Sequence, residues 1–377
     1  RVYPVPSGVL RKGKNTIAVR VIDHGFWGGI AGSPDLLSLR LGAEAISLAT
    51  SWRFAPGANR AALTGSAVVT ARSKPAPDPE TAPTDGFEHP LPAVAPRFSD
   101  GFVLEEDEVV AFLGGTGMVK QMESGDLESF LTHAAGDRPV LFRDLSWQAD
   151  TVYLRQRPRN FGTQAEALSR IGATVAVAAF GQMEAMEGKG RLPEFIEAYE
   201  ALLEEVRPRT EKIVLVTPYP FTVVEGKPHY PDLTGHNDAV AAYGAAIREL
   251  ANRRGWICVD LGGFDTGGLT VDGIQLTPDG HEKWARVVTR QLMGEPAAVL
   301  PERWEVVREQ IGRKNVLWRR FWRPTNWAFL YGNRQTQPSS LDHRPGYPRW
   351  FPEEINAIVP LIEEAEDQII TLQSKSK

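Results

Sequence analysis

Five short apolar runs recur between residues 108 and 261: EVVAFLGG at 108–115, PVLFRDL at 139–145, TVAVAAFG at 174–181, KIVLVTP at 212–218 and WICVDL at 256–261. They are nearly continuous rather than alternating, as strands covered on both faces of a parallel sheet must be. The stretches between them carry helical spacing instead. In LPEFIEAYEALLEEV the positions Phe195, Tyr199, Leu202 and Val206 fall on one face. NDAVAAYGAAIRELANRRG closes on two arginines and Gly255, a basic last turn followed by a glycine, as a helix C-terminus favours. Strand and helix alternating in this way predict an α/β fold: a flavodoxin-like, three-layer molecule with a parallel five-stranded sheet, its site at the carboxyl ends of the strands.

The flanks read differently. Near the start, NTIAVRVID alternates with period two, a glycine-rich turn HGFWGGIAGSP follows, and LLSLRL offers a second strand. Two or three strands cannot bury a sandwich core alone, so residues 1–65 are expected to form a partial β-sandwich segment. Seven prolines between Pro75 and Pro96 remove amide donors and fix φ, which makes 66–100 an extended linker. The α/β pattern then occupies 101–296. Residues 297–377 form a helical and aromatic extension, with Trp304, Val307, Ile311 and Trp318 on one helical face and Ile355, Ile358, Ile362, Ala365 and Ile369 on another.

Composition narrows the function. A net charge of −5 gives no electrostatic reason to expect nucleic acid or an anionic membrane as partner. No apolar run approaches the roughly 20 residues that span a bilayer. Cys258 is the sole cysteine, which rules out an intrachain disulfide and reads as a buried, inert thiol in a strand. No cofactor or metal is called for: His229 and Asp232 would need a third ligand. The chain opens at Arg1 in mid-pattern, and is expected to be part of a longer parent chain.

Four blocks carry the candidate chemistry: Gly114-Gly115-Thr116 after the first apolar run, Ser146 within FRDLSWQADTV, Gly181-Gln182-Met183-Glu184 after the third, and Asp272-Gly273-Ile274-Gln275 before the last helix. Their order resembles the SGNH or GDSL hydrolases, serine esterases on a flavodoxin-like sheet. FRDLSWQADTV, RNFG, DGIQLTPDG and the segment RPTNWAFLYGNRQTQPSSLDHR resemble a divergent branch in multi-domain proteins of planctomycete-like bacteria. VPSGVLRKGKNTIAVRV, the glycine turn and SLATSWRF look like the end of the galactose-binding-like jelly roll of sialate O-acetylesterases. There Trp27 would either stack on a sugar or cover a sandwich edge. The resemblance implies an esterase-like protein acting on O-acylated, chiefly acetylated, carbohydrate or another small acyl ester, in a periplasmic or exported setting.

The family's serine, glycine, asparagine and histidine positions read Thr116, Ser146, Met183 and Gln275 here. Thr116 keeps a hydroxyl, either as nucleophile or as a cap on a helix starting near 118. Ser146 keeps an amide for an oxyanion, whereas Met183 replaces a donor with a thioether. Gln275 cannot take a proton, and loss of the triad histidine costs roughly 10⁶ in kcat. Asp272 either orients a base or caps its turn. Gly115 replaces the family's acidic residue and would permit a different turn through positive φ, and Glu184 lines the same block. His281 in PDGHEKW is an exposed first-turn residue or a substitute base, and Asp342-His343 in the aromatic segment is the other candidate, beside the turn residues Ser339 and Ser340. Three functions remain open: an esterase with a rearranged site, a non-catalytic glycan-binding or scaffold module, and a docking surface without a small ligand.

Overall fold

The computed structural model describes residues 94–374 except 228, 295–300, 345, 346 and 348, together with 9, 10, 12, 13, 15, 38–41 and 44–48. The chain divides into two compact units, Arg1–Lys74 and Pro75–Lys377. In the first, β1 (Ser38–Leu41) pairs antiparallel with β2 (Glu44–Ser47), Leu39 opposite Ile46. The expected strand NTIAVRVID beyond Asn15, the turn holding Trp27, and the proline run from 75 to 93 lie outside the described residues.

The second unit is built on five parallel strands, β3 (Glu108–Gly114), β4 (Val140–Asp144), β5 (Val175–Ala179), β6 (Ile213–Val216) and β7 (Ile257–Val259), in the order β4-β3-β5-β6-β7. Each falls inside one of the five apolar runs. Residues alternate between the two faces, as the pleat requires. Val109, Ala111 and Leu113 point into one core, and Val110 and Phe112 into the other. The first core is closed by α3 (Gln164–Arg170), α4 (Leu192–Val206) and α5 (Asn237–Arg254). Phe195, Tyr199, Leu202 and Val206 are all fully buried there, and α5 ends on Gly255 in the left-handed conformation at φ 68°. The second core is closed by α1 (Thr116–Ser124), α2 (Asp126–Ala135) and α6 (Pro278–Met293). From β3 the chain steps outward to β4 and then reverses to β5. The crevice of such a sheet therefore opens between the ends of β3 and β5.

The extension supplies α7 (Pro301–Trp322), the short α8 (Trp327–Leu330), α9 (Trp350–Asn356) and α10 (Val359–Ser374). The apolar tail is two helices rather than one, because Pro360 lacks an amide donor and is tolerated only in a first turn. Helix α7 runs along β4, the edge strand, whose outward carbonyls would otherwise be an open template for pairing. Lys314 Nζ donates to the Phe142 carbonyl at 3.1 Å and Trp318 Nε1 to that of Asp144 at 2.8 Å. Behind them, Lys314 pairs with buried Glu128 at 2.6 Å, and the Arg143 fork pairs with Glu366 of α10.

Candidate active site

The loops following β3, β5 and β6 form a half-open cavity of about 80 Å³, lined by the apolar Met118, Leu276 and Trp284 and by the polar Thr116, Asp150 and Gln182. Thr116 is the first residue of α1; the N-cap is Gly115, at φ −86°, with no side-chain capping bond. The expected Thr cap is therefore absent, and the helix begins two residues earlier than expected. The Thr116 Oγ1 instead accepts the Ala149 amide at 3.2 Å. Gly115 is not in a positive-φ turn either. Its requirement is proximity, since a Cβ there would sit 2.6 Å from the Asp150 carbonyl oxygen.

That approach brings the loop after β4 to the cleft, but not through Ser146. Ser146 is completely buried. Its amide donates to Asp144 Oδ1 at 2.9 Å and its hydroxyl bonds the same oxygen, which leaves neither group for an oxyanion. Burial raises the Asp144 pKa against the pull of Arg323 and these Ser146 bonds. The residue that presents an amide to Thr116 is Ala149, at φ 63°. Non-glycine residues seldom adopt that region, so no glycine marked the position in the sequence.

Met183 lines the cleft mouth and is 48% exposed. Its thioether offers only a weak acceptor and no donor. The adjacent Gln182 supplies an amide, with Nε2 donating to the Tyr219 carbonyl at 3.1 Å. Glu184 is buried, accepting the Val152 amide at 3.0 Å and the Gly181 amide at 2.8 Å. It thus ties the loops after β4 and β5 together. Burial raises its pKa, with those amides opposing. The second cleft carboxylate, Asp150, receives a two-pronged bond from Arg157 at 2.7 and 2.7 Å; burial raises its pKa against that pairing. Both cleft carboxylates are committed to donors.

The other candidates do not line the cleft. Asp272 Oδ1 accepts the amides of Ile274 at 3.0 Å and Gln275 at 2.7 Å, capping its own turn. Leu276, not Gln275, forms the wall. His281 is buried, contrary to the exposed first-turn expectation, because the start of α6 packs on α1. Its Nδ1 lies 2.7 Å from Gln121 Oε1, and Gln121 Nε2 donates back to the His281 carbonyl at 3.2 Å. Burial, reinforced by Lys120, pushes its pKa down to about 4, too low for an efficient base near neutrality. The His343 side chain is 86% exposed, 3.4 Å from Asp342. Asp342 is held at a pKa of about 2 by its bonds to Arg344, and the trio makes a surface cluster. Ser340 is buried and donates to the Arg334 carbonyl at 2.7 Å. Among the described residues, no three His, Cys, Asp or Glu side chains are grouped to hold a metal.

The Pro75–Lys377 unit is a three-layer α/β fold with its cleft at the switch point of the sheet, where this class of fold binds ligands. No family model and no curated protein matches the chain. Solved structures do. A gut microbial diltiazem-metabolizing enzyme is 17% identical, with 53% of this chain and 48% of that one covered at a TM-score of 0.40. The chain thus spans about half the length of that protein. The acetylxylan esterase of Geobacillus stearothermophilus is 15% identical over 52% of this chain and 99% of its own, at a TM-score of 0.37. LAE5, an α/β hydrolase enzyme from the metagenome of Lake Arreo, is 15% identical over 52% and 99%, at 0.38. At such identities the likeness is one of architecture. Chemistry has to be read from the cleft.

Proposed function

We propose that the Pro75–Lys377 unit is an esterase-like protein of the SGNH type that holds a small O-acyl group, acetyl in size, of a carbohydrate without hydrolysing it. The observation that carries this reading is that the described cleft residues include no imidazole and no carboxylate free of hydrogen-bond donors. Asp150 is engaged by Arg157, Glu184 by two amides, and neither His281 nor His343 lines the cavity. Serine-type acyl transfer needs a base to take the hydroxyl proton. Without the triad imidazole the rate falls roughly 10⁶-fold, and loss of one oxyanion donor removes roughly another 10²–10³.

Binding groups survive. The Thr116 hydroxyl, free to donate while accepting from Ala149, and the Gln182 amide share the cavity lining with the apolar Met118, Leu276 and Trp284. A cavity of about 80 Å³ has room for a small group such as a methyl-carbonyl. A second reading, slow turnover through Thr116, draws on the persisting contact between its hydroxyl and a loop amide.

Titrating the full chain with acetylated xylobiose by calorimetry, alongside p-nitrophenyl acetate hydrolysis, separates the readings. The expected result is saturable binding weakened by Thr116→Val, with hydrolysis no faster than in buffer. Saturable hydrolysis abolished by Thr116→Ala would establish turnover instead, and no binding at all would leave only the docking role.

A further inference from the structure

We propose that Arg323, from the C-terminal extension, is a positioning residue for the cleft: it holds the 146–150 loop so that the Ala149 amide meets Thr116. The role of that amide in ligand binding rests on the function proposed above; the role of Arg323 in placing it does not.

The loop needs an external hold. Ala149 sits at φ 63°, and a strained backbone persists only where its surroundings over-determine it. One hold is local, the Arg157 fork on Asp150. The other comes from 175 positions along the chain, where Arg323 Nη1 donates to Gln148 Oε1 at 2.8 Å. The same guanidinium lies over the Trp147 ring, 5.2 Å from its centroid, a ring that also carries Arg157 at 4.8 Å. Its Nη2 is 3.8 Å from Asp144 Oδ2, the carboxylate whose other oxygen takes both Ser146 groups. One side chain therefore reaches positions 144, 147 and 148, immediately ahead of the strained residue. The grip is itself fixed from behind. Phe161 meets Trp147 edge-on at 5.0 Å and also packs against Trp322 and Trp327 at 5.0 and 4.7 Å, the residues flanking Arg323 on α7 and α8.

The Arg323 side chain is 7% exposed, and Arg323 does not line the cavity. Its influence on a ligand can only pass through the loop. Lysine at this position would keep the charge but lose the planar fork that serves Gln148, Trp147 and Asp144 together.

The test follows the Ala149 amide by nitrogen–proton NMR in the full chain, together with acetylated xylobiose affinity, in Arg323→Lys, Arg323→Gln and Gln148→Ala. Gln148 is exposed, so its variant removes the contact without burying a void, and exposed Arg320→Gln is the control. The Ala149 resonance is expected to move in both Arg323 variants and not in the control; in Gln148→Ala, where replacing the residue before Ala149 shifts that resonance in any case, the readout is affinity, which should fall. Affinity should drop about tenfold in both Arg323 variants, as losing a charge-assisted hydrogen bond allows. A purely structural Arg323 would lower the melting temperature while leaving the Ala149 amide in place in the folded protein, and that result would overturn the proposal. So would an unmoved resonance in folded Arg323→Lys. If the unaltered chain binds no probe, the proposed function fails, and the resonance shift still decides what Arg323 does.

Discussion

At the scale of single residues, the informative positions are those where one side chain's commitment decides another's availability. Ser146 had the stronger claim in the sequence, because a small polar residue stood where a glycine was sought. Asp144, two positions earlier, consumes both of its donors, and a side chain bonding its neighbours' backbone in this way is a local competition that spacing does not reveal. Ala149 carried no signal at all. If its conformation is held from outside, Ala149→Gly should stabilise the fold by about 0.5–1 kcal/mol, the left-handed penalty of a Cβ less the extra chain entropy of glycine; urea midpoints would measure it. His281 was misread because its polar first turn faces α1 rather than water. Its pKa of about 4, against the ordinary imidazole value of 6.5, means the unfolded chain binds the extra proton first. The contribution of the neutral ring is therefore complete above pH 6.5 and is lost as pH falls from there towards 4. Between pH 7 and 4.5 the stability lost should be about 2 kcal/mol greater in the parent than in His281→Gln, by the linkage of roughly 1.4 kcal/mol per pKa unit.

Elements were far more legible than sites. All five strands lie within the apolar runs because a sheet buried on both faces is built chiefly from apolar side chains, and β3 is buried along its whole length, its one charged residue, Glu108, paired with Lys212. Helices α4 and α5 followed from spacing and capping for the same reason. The path of the extension was not legible. Helical faces show that residues are buried, not what buries them, and it is Lys314, Trp318 and Arg143 that send α7 and α10 to the β4 edge. Arg143 is 1% exposed and Glu366 10%. Replacing Glu366 by alanine would take a bidentate carboxylate from a buried guanidinium, a change that costs about 3–5 kcal/mol. Chemical denaturation of Glu366→Ala should show that loss, and a change under 1 kcal/mol would mean the pair is dispensable to docking.

Across the whole second unit, the two edges of the sheet have opposite fates. One is roofed by the extension; the other ends in β7, three residues long, with Cys258 at its centre. That thiol is partly buried, and burial, with Asp260 adding to it, pushes its pKa up to about 12, so near neutral pH almost none is the reactive thiolate. The protein consequently carries a built-in clock for breathing of its short side. Alkylation of this single sulfur should creep in the native state and accelerate under mild denaturant, well before the roofed side yields. A mass increment read against time would then rank the outermost strand among the first parts of the fold to open, with no label engineered into it.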